Sequence, residues 1–285
     1  MLSTSGRLIS PLLTGSGLVE GSVPLQLDRA TASTAEWDAA DGTFLYRRAG
    51  VARYRITATS ITAEREPGVA DNDVAWVAAT VPLCMLLLLR GVFTLHASVV
   101  EIDDRTVLLG GRSGSGKSTL TAALVQRGHR LISDEMAPVT AEDSDIRVRP
   151  GGRRLIGLWP EAIERLGLSP DAGTLLRTTL TKRGFPVTTA DVDPGGATVG
   201  ALLSVVAADG DGGGAVRLRG YRKVELVLQT MYGRDLVAPA GLAGPHREWV
   251  ERLTTHMPMF VLQRDRAAWD LPRLCDAVEE AVTTL

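Results

Sequence analysis

The chain is poor in lysine. Of 31 cationic residues only Lys117, Lys182 and Lys223 are lysines, and arginine supplies the rest. A compact ammonium and a planar guanidinium do different chemistry, so each lysine here is a candidate for a role of its own. Cysteine is scarcer still: Cys84 and Cys275 stand far apart, without metal spacing, and His96, His129, His246 and His256 are scattered. That excludes a zinc pattern and leaves two thiols expected to be buried and reduced in a cytoplasmic protein. Aromatic residues make up 5% of the chain and do not interleave with basic runs, and the net charge is −2. Neither nucleic acid nor an anionic membrane is an expected partner. The one long apolar run, Val74–Leu89, contains Pro82 and falls short of the roughly 20 residues a bilayer requires. It is expected to be a buried helix kinked or started at Pro82. Met1–Gly17 has no cationic start followed by an apolar run, so no signal peptide is expected.

What is present suits two unequal units in 285 residues of 45% hydrophobic content. Residues 1–92 form the first, β-rich and closed by the apolar helix. Gly42–Tyr46 and Ala52–Ala58 alternate apolar and polar residues around the turn Arg48–Gly50, and Ser60–Ala63 adds a further strand. Residues 93–285 form the second. Phe93–Val100 and Thr106–Leu109 read as strands, and Lys117–Arg127 as a helix stopped by Gly128. Arg130–Ser133 is another strand, ending at Asp134-Glu135. A proline-started helix follows Trp159, a glycine turn covers Asp209–Gly214, and helical periodicity returns near 221–232, 246–256 and 266–283.

Between the strand Thr106–Leu109 and the helix lies Gly111-Arg112-Ser113-Gly114-Ser115-Gly116-Lys117-Ser118. This is G-x-x-x-x-G-K-S in the strand–loop–helix setting that a phosphate loop needs. The glycines let successive N–H groups curl toward one anion, and the helix adds its positive end. Gly111, Ser113, Gly114, Ser115, Gly116 and Thr119 are expected to cradle the phosphates. Lys117 should reach the β- and γ-phosphates and Ser118 should hold Mg²⁺. The loop does not choose a reaction. A transporter signature and a guanine-reading Asn-Lys-x-Asp are both missing, however, and the acidic pair Asp134-Glu135 closes the next strand. If that strand lies beside the loop's own, both carboxylates sit at the carboxyl edge of the sheet, where one can accept a hydroxyl proton and the other bind metal.

Three segments together resemble the HPr kinase/phosphorylase catalytic domain: Leu95-His96-Ala97-Ser98, Gly110–Ser118 and Arg127–Glu135. The resemblance implies an α/β fold, a P-loop kinase domain of the HPr kinase/phosphoenolpyruvate carboxykinase type with a smaller N-terminal β-rich domain. It implies transfer from ATP with Mg²⁺ to a serine hydroxyl of a peptide or protein, with Asp134 as the base, Glu135 where a second aspartate usually stands, and His96 near the transferred phosphate. In layout the chain resembles the HPr-kinase-like tailoring kinases of ribosomal (lasso) peptide pathways. A kinase of a small hydroxylated metabolite and a non-catalytic ATP-binding regulator stay open, as does assembly into a homo-oligomer.

Lys182 and Arg183 are expected in a loop between breakers, where paired cations can clamp a triphosphate. Arg153-Arg154 is open to contact with a phosphate or an acidic peptide, with surface charge the favoured reading, and Trp159 and Trp249 are read as packing residues rather than base-stacking platforms.

Overall fold

A computed structural model describes residues 17–193, 195–209, 214–266 and 269–285. The expectations for the N-terminus through residue 16 and for the glycine turn at 210–213 lie outside them.

The β-rich beginning is a six-stranded sheet in the order Leu18–Glu20, Ile61–Arg65, Ala52–Thr57, Thr43–Arg48, Trp37–Ala40, Ala32–Ser33. Alternation explains its sidedness: Ala52, Tyr54 and Ile56 are buried while Arg53, Arg55 and Thr57 are not. The apolar run divides into helices Asp71–Ala78 and Val81–Leu89, bent by 43°. Pro82 occupies the first turn of the second, where a missing N–H costs nothing. Leu83, Met85 and Leu86 are fully buried. Among the described residues no single helix is long and apolar enough to cross a membrane.

The larger sheet has nine strands. At its centre Arg105–Gly111, Ala197–Ala208 and Met259–Asp265 run parallel. Ala97–Ile102 is antiparallel to the first of these, and Arg130–Ser133 is antiparallel to Ala97–Ile102. Side chains alternate between two cores. Val99, Leu108 and Leu202 face one shared with the N-terminal sheet and with helices Val81–Leu89, Tyr221–Thr230 and Ala243–His256. Val100, Leu109 and Leu203 face another covered by Lys117–Gln126, Pro160–Arg165 and Leu271–Thr283. The smaller sheet, Leu155–Leu158, Arg183–Pro186 and Thr174–Leu175, stands beside the helix Lys117–Gln126.

Two sequence expectations need correction. Arg130–Ser133 is not beside the loop's strand, because Ala97–Ile102 lies between them. Two successive antiparallel pairings nevertheless restore the direction, so the ends of Arg105–Gly111 and Arg130–Ser133 emerge at the same edge. Phe93–Val100 is not one strand either. It breaks at His96, whose N–H donates to the Thr230 carbonyl at 2.7 Å; Phe93–Leu95 instead pairs with Ala137–Glu142.

Candidate active site

The loop after Arg105–Gly111 has the shape its glycines require. Gly116 has φ +98, and a β-carbon there would lie 1.9 Å from the Trp269 ring. One at Gly111 would lie 2.4 Å from Ser115 Oγ. The helix Lys117–Gln126 starts without a side-chain cap, so its first N–H groups face the site unclaimed by a side chain. The Arg264 guanidinium braces the loop from outside, donating to the Ser115 carbonyl at 2.7 Å and lying 4.6 Å from the centre of the Trp269 ring.

The loop opens on a cavity of about 440 Å³ lined by Ser113, Gly114, Gly116, Lys117, Ser118 and Thr119 on one side and by His96, Glu135 and Lys182 on another. Ser115 is buried beneath the loop. Lys117 and Asp134 meet: the ammonium lies 3.4 Å from Asp134 Oδ1 and 3.3 Å from Ser98 Oγ. Ser98 donates its hydroxyl to the same Oδ1 at 2.6 Å, and the Gly157 N–H donates to Oδ2 at 3.3 Å. Lys117 is 6% exposed and Asp134 2%. Burial acts to raise the Asp134 carboxyl, but the Lys117 ammonium and the Ser98 hydroxyl outweigh it and hold it below the usual carboxylate range.

Glu135 has φ +72, a conformation uncommon outside glycine. Its oxygens bind Lys182 at 2.9 Å and Arg153 at 2.6 Å. Burial would raise this carboxyl too; Arg153 and Lys182 bring it well below its ordinary value. Both oxygens are thus engaged, so Glu135 is a weaker direct metal ligand than its position in the sequence implies. His96 packs edge-on against Tyr232. Burial, then Lys117, pushes its imidazole down to about 4, which keeps it neutral near pH 7.

Three sequence readings are corrected here. Lys182 and Arg183 do not share a mobile loop. Lys182 leads into the strand Arg183–Pro186 and reaches the cavity, while Arg183 turns away to the Gly173 carbonyl at 2.7 Å. Arg153 is not surface charge: it is 3% exposed, paired with Glu135 and stacked 4.7 Å from the centre of the Trp76 ring. Arg154 beside it points outward to Asp191. The doublet lies on extended chain where neighbours face opposite ways, and Asp134 and Arg153 form a β-bridge; that alternation was the signal available. Trp249 is a packing residue, buried with its indole N–H on the Val139 carbonyl, but Trp159 is 48% exposed and lines the cavity. Both cysteines are buried and free.

Comparison with known proteins follows the same residues. The family profile of the HPr Serine kinase C-terminal domain matches residues 89–152. Over this segment the chain is similar to HPr kinases. It is 41% identical over 71 residues to an HPr kinase/phosphorylase of Geobacillus thermodenitrificans, covering 25% of this chain and 20% of that one. It is 40% identical over 72 residues to an HPr kinase/phosphorylase of Bacillus subtilis, covering 25% and 21%. The matches therefore span about a fifth of those relatives. A solved Hpr(Ser) kinase/phosphatase from Coxiella burnetii aligns over 67% of this chain and 95% of its own, at 15% identity and a TM-score of 0.33.

Proposed function

We propose that the chain is an ATP-dependent kinase that transfers the γ-phosphoryl group to a serine hydroxyl of a peptide or protein. The observation that carries this reading is the meeting of Lys117 and Asp134, 3.4 Å apart, behind a glycine cradle with uncapped helix amides. Those amides suit the phosphates of ATP. Lys117 lies against Asp134. A triphosphate in the loop offers the ammonium several oxygens, and its shift toward them uncovers the carboxylate for an acceptor hydroxyl. Asp134, freed and ionised, then orients that hydroxyl and takes its proton. Lys117 and Lys182 neutralise charge as the phosphoryl group leaves, and neutral His96 lines the same wall without adding a positive charge. Ser118 would hold magnesium, which supplies charge neutralisation on the phosphate oxygens, with Glu135 as an outer partner while its own ion pairs persist.

The acceptor serine of a precursor in a ribosomal (lasso) peptide pathway is the specific candidate, on the layout resemblance. Mass spectrometry after incubation with Mg·ATP and candidate acceptors tests the assignment. One phosphate gained on a peptide serine, lost in Asp134→Asn while ATP still binds, supports it. Phosphate appearing only on small hydroxylated compounds would change the substrate class. ATP binding without transfer to any acceptor would make the chain a regulator.

A further inference from the structure

The cavity at the loop has lining residues that the proposed phosphoryl transfer does not use. Besides the loop, His96, Glu135 and Lys182, it is walled by Trp159, Ala162, Arg165 and Trp269. Trp159 is the residue before the helix Pro160–Arg165, and its carbonyl accepts from the Ala162 and Ile163 N–H groups at 3.0 Å, which fixes its backbone. Its indole, by contrast, has no ring, guanidinium or hydrogen-bond partner among the described residues, although 48% of the residue is exposed. A large aromatic face held on a rigid backbone at the wall of a cavity, and left uncovered, is a stacking surface for a flat ligand. Arg165 ends the same helix, six residues on, and rests 5.0 Å from the centre of the Trp269 ring, with no carboxylate paired to it among the described residues. Trp269 itself is committed: its ring covers Gly116, with Arg264 against it.

The direction of the ligand follows from the loop. Asp134, His96 and Lys182 gather at the Lys117 end, so transfer occurs there. The rest of a nucleoside triphosphate must leave across Ser118 and Thr119, toward Ala162. We infer that a nucleobase stacks on Trp159 in the compartment walled by Ala162 and Arg165, which makes Trp159 a nucleotide-affinity residue rather than part of the acceptor path. The inference rests on the phosphate-loop reading above.

The experiment compares Mg·ATP with inorganic tripolyphosphate plus Mg²⁺, by calorimetry, on wild type, Trp159→Ala and Trp159→Phe, with Lys117→Ala as the loop control. Tripolyphosphate carries the same phosphates and no base. Trp159→Ala is expected to weaken ATP about 5- to 150-fold, the range set by loss of one base–aromatic stack. Trp159→Phe should retain most of the affinity, and neither change should alter tripolyphosphate binding. Equal weakening of both ligands would overturn the inference, because it would mean a distorted loop. Unchanged ATP affinity together with a raised KM for a phosphorylatable acceptor would also overturn it, assigning Trp159 to the acceptor. If wild type bound neither ligand, or Lys117→Ala bound both normally, the phosphate-loop reading would fail instead.

Discussion

Lys117 and Asp134 form a buried ion pair that is also the working pair of the proposed site, and the two roles make separable demands. Replacing Asp134 by Asn keeps the shape and leaves an oxygen able to accept from Ser98. What disappears is the negative charge, and Lys117, 6% exposed, then retains only neutral acceptors, Ser98 Oγ at 3.3 Å and the amide oxygen of the new side chain. Stranding a buried charge in this way costs about 3–5 kcal/mol. For a chain of this length that lowers the melting temperature by roughly 5–10 °C. Lys117→Met is expected to cost less, about 2 kcal/mol, because Asp134 keeps the Ser98 hydroxyl and the Gly157 N–H as donors. The double variant should be more stable than Asp134→Asn alone, since no unpaired charge remains. Mg·ATP should raise the melting temperature of Asp134→Asn more than that of wild type, because the ammonium no longer has to leave a carboxylate to meet the triphosphate. Urea unfolding and thermal melts of the four proteins, with and without nucleotide, provide the cycle. If the two single changes simply add in the double variant, or if Asp134→Asn melts with wild type, the two groups are not coupled and the reasoning fails.

His96 carries a pH dependence of definite sign. Its folded-state value of about 4 lies below the ordinary 6.5, so between these limits the unfolded chain binds the extra proton and stability falls as pH falls. Discounted for partial exposure, the loss is about 2 kcal/mol, and His96→Gln should flatten the stability profile between pH 6.5 and 4; an unchanged slope in that variant would exclude the buried neutral imidazole. At Gly116, alanine would meet the Trp269 ring and also adopt φ +98, so Gly116→Ala should weaken ATP binding at least tenfold, an estimate of roughly 1–2 kcal/mol for the backbone alone. Adding Trp269→Ala should restore part of that affinity; no recovery would mean the ring does not press on the loop.

The sequence made some of this legible and hid the rest for physical reasons. A phosphate loop is local: its glycines, its preceding strand and its following helix lie within one stretch, so Gly111, Gly116 and Lys117 could be read directly. The helix with Pro82 in its first turn and the buried thiols followed from equally local chemistry. Strand neighbours are not local. Asp134 was expected at the right edge through the wrong adjacency, because nothing in Arg130–Ser133 announces that Ala97–Ile102 intervenes. Arg153 and Lys182 were harder still, since their burial depends on the small sheet and on Trp76 from the N-terminal part. Trp159 was read as packing because large aromatics usually are; only the cavity wall reveals the exception.

The intervening strand also explains why a serine stands at position 98. Neighbouring strands lie about 4.8 Å apart, so Asp134 and the loop's strand are separated by roughly 10 Å at the level of the backbone. Two side chains must cross that gap over the top of Ala97–Ile102. Ser98, fully buried, is the residue they cross, and it is small enough to leave both within reach and polar enough to bond to each, at 2.6 Å and 3.3 Å. A branched apolar side chain in its place would fill the space between ammonium and carboxylate and leave two buried charges without a common donor and acceptor. Alanine would leave the space but remove the hydroxyl that bonds to both Asp134 and Lys117. The site therefore depends on the size and polarity of one side chain in the strand between as much as on the two charged residues that strand separates.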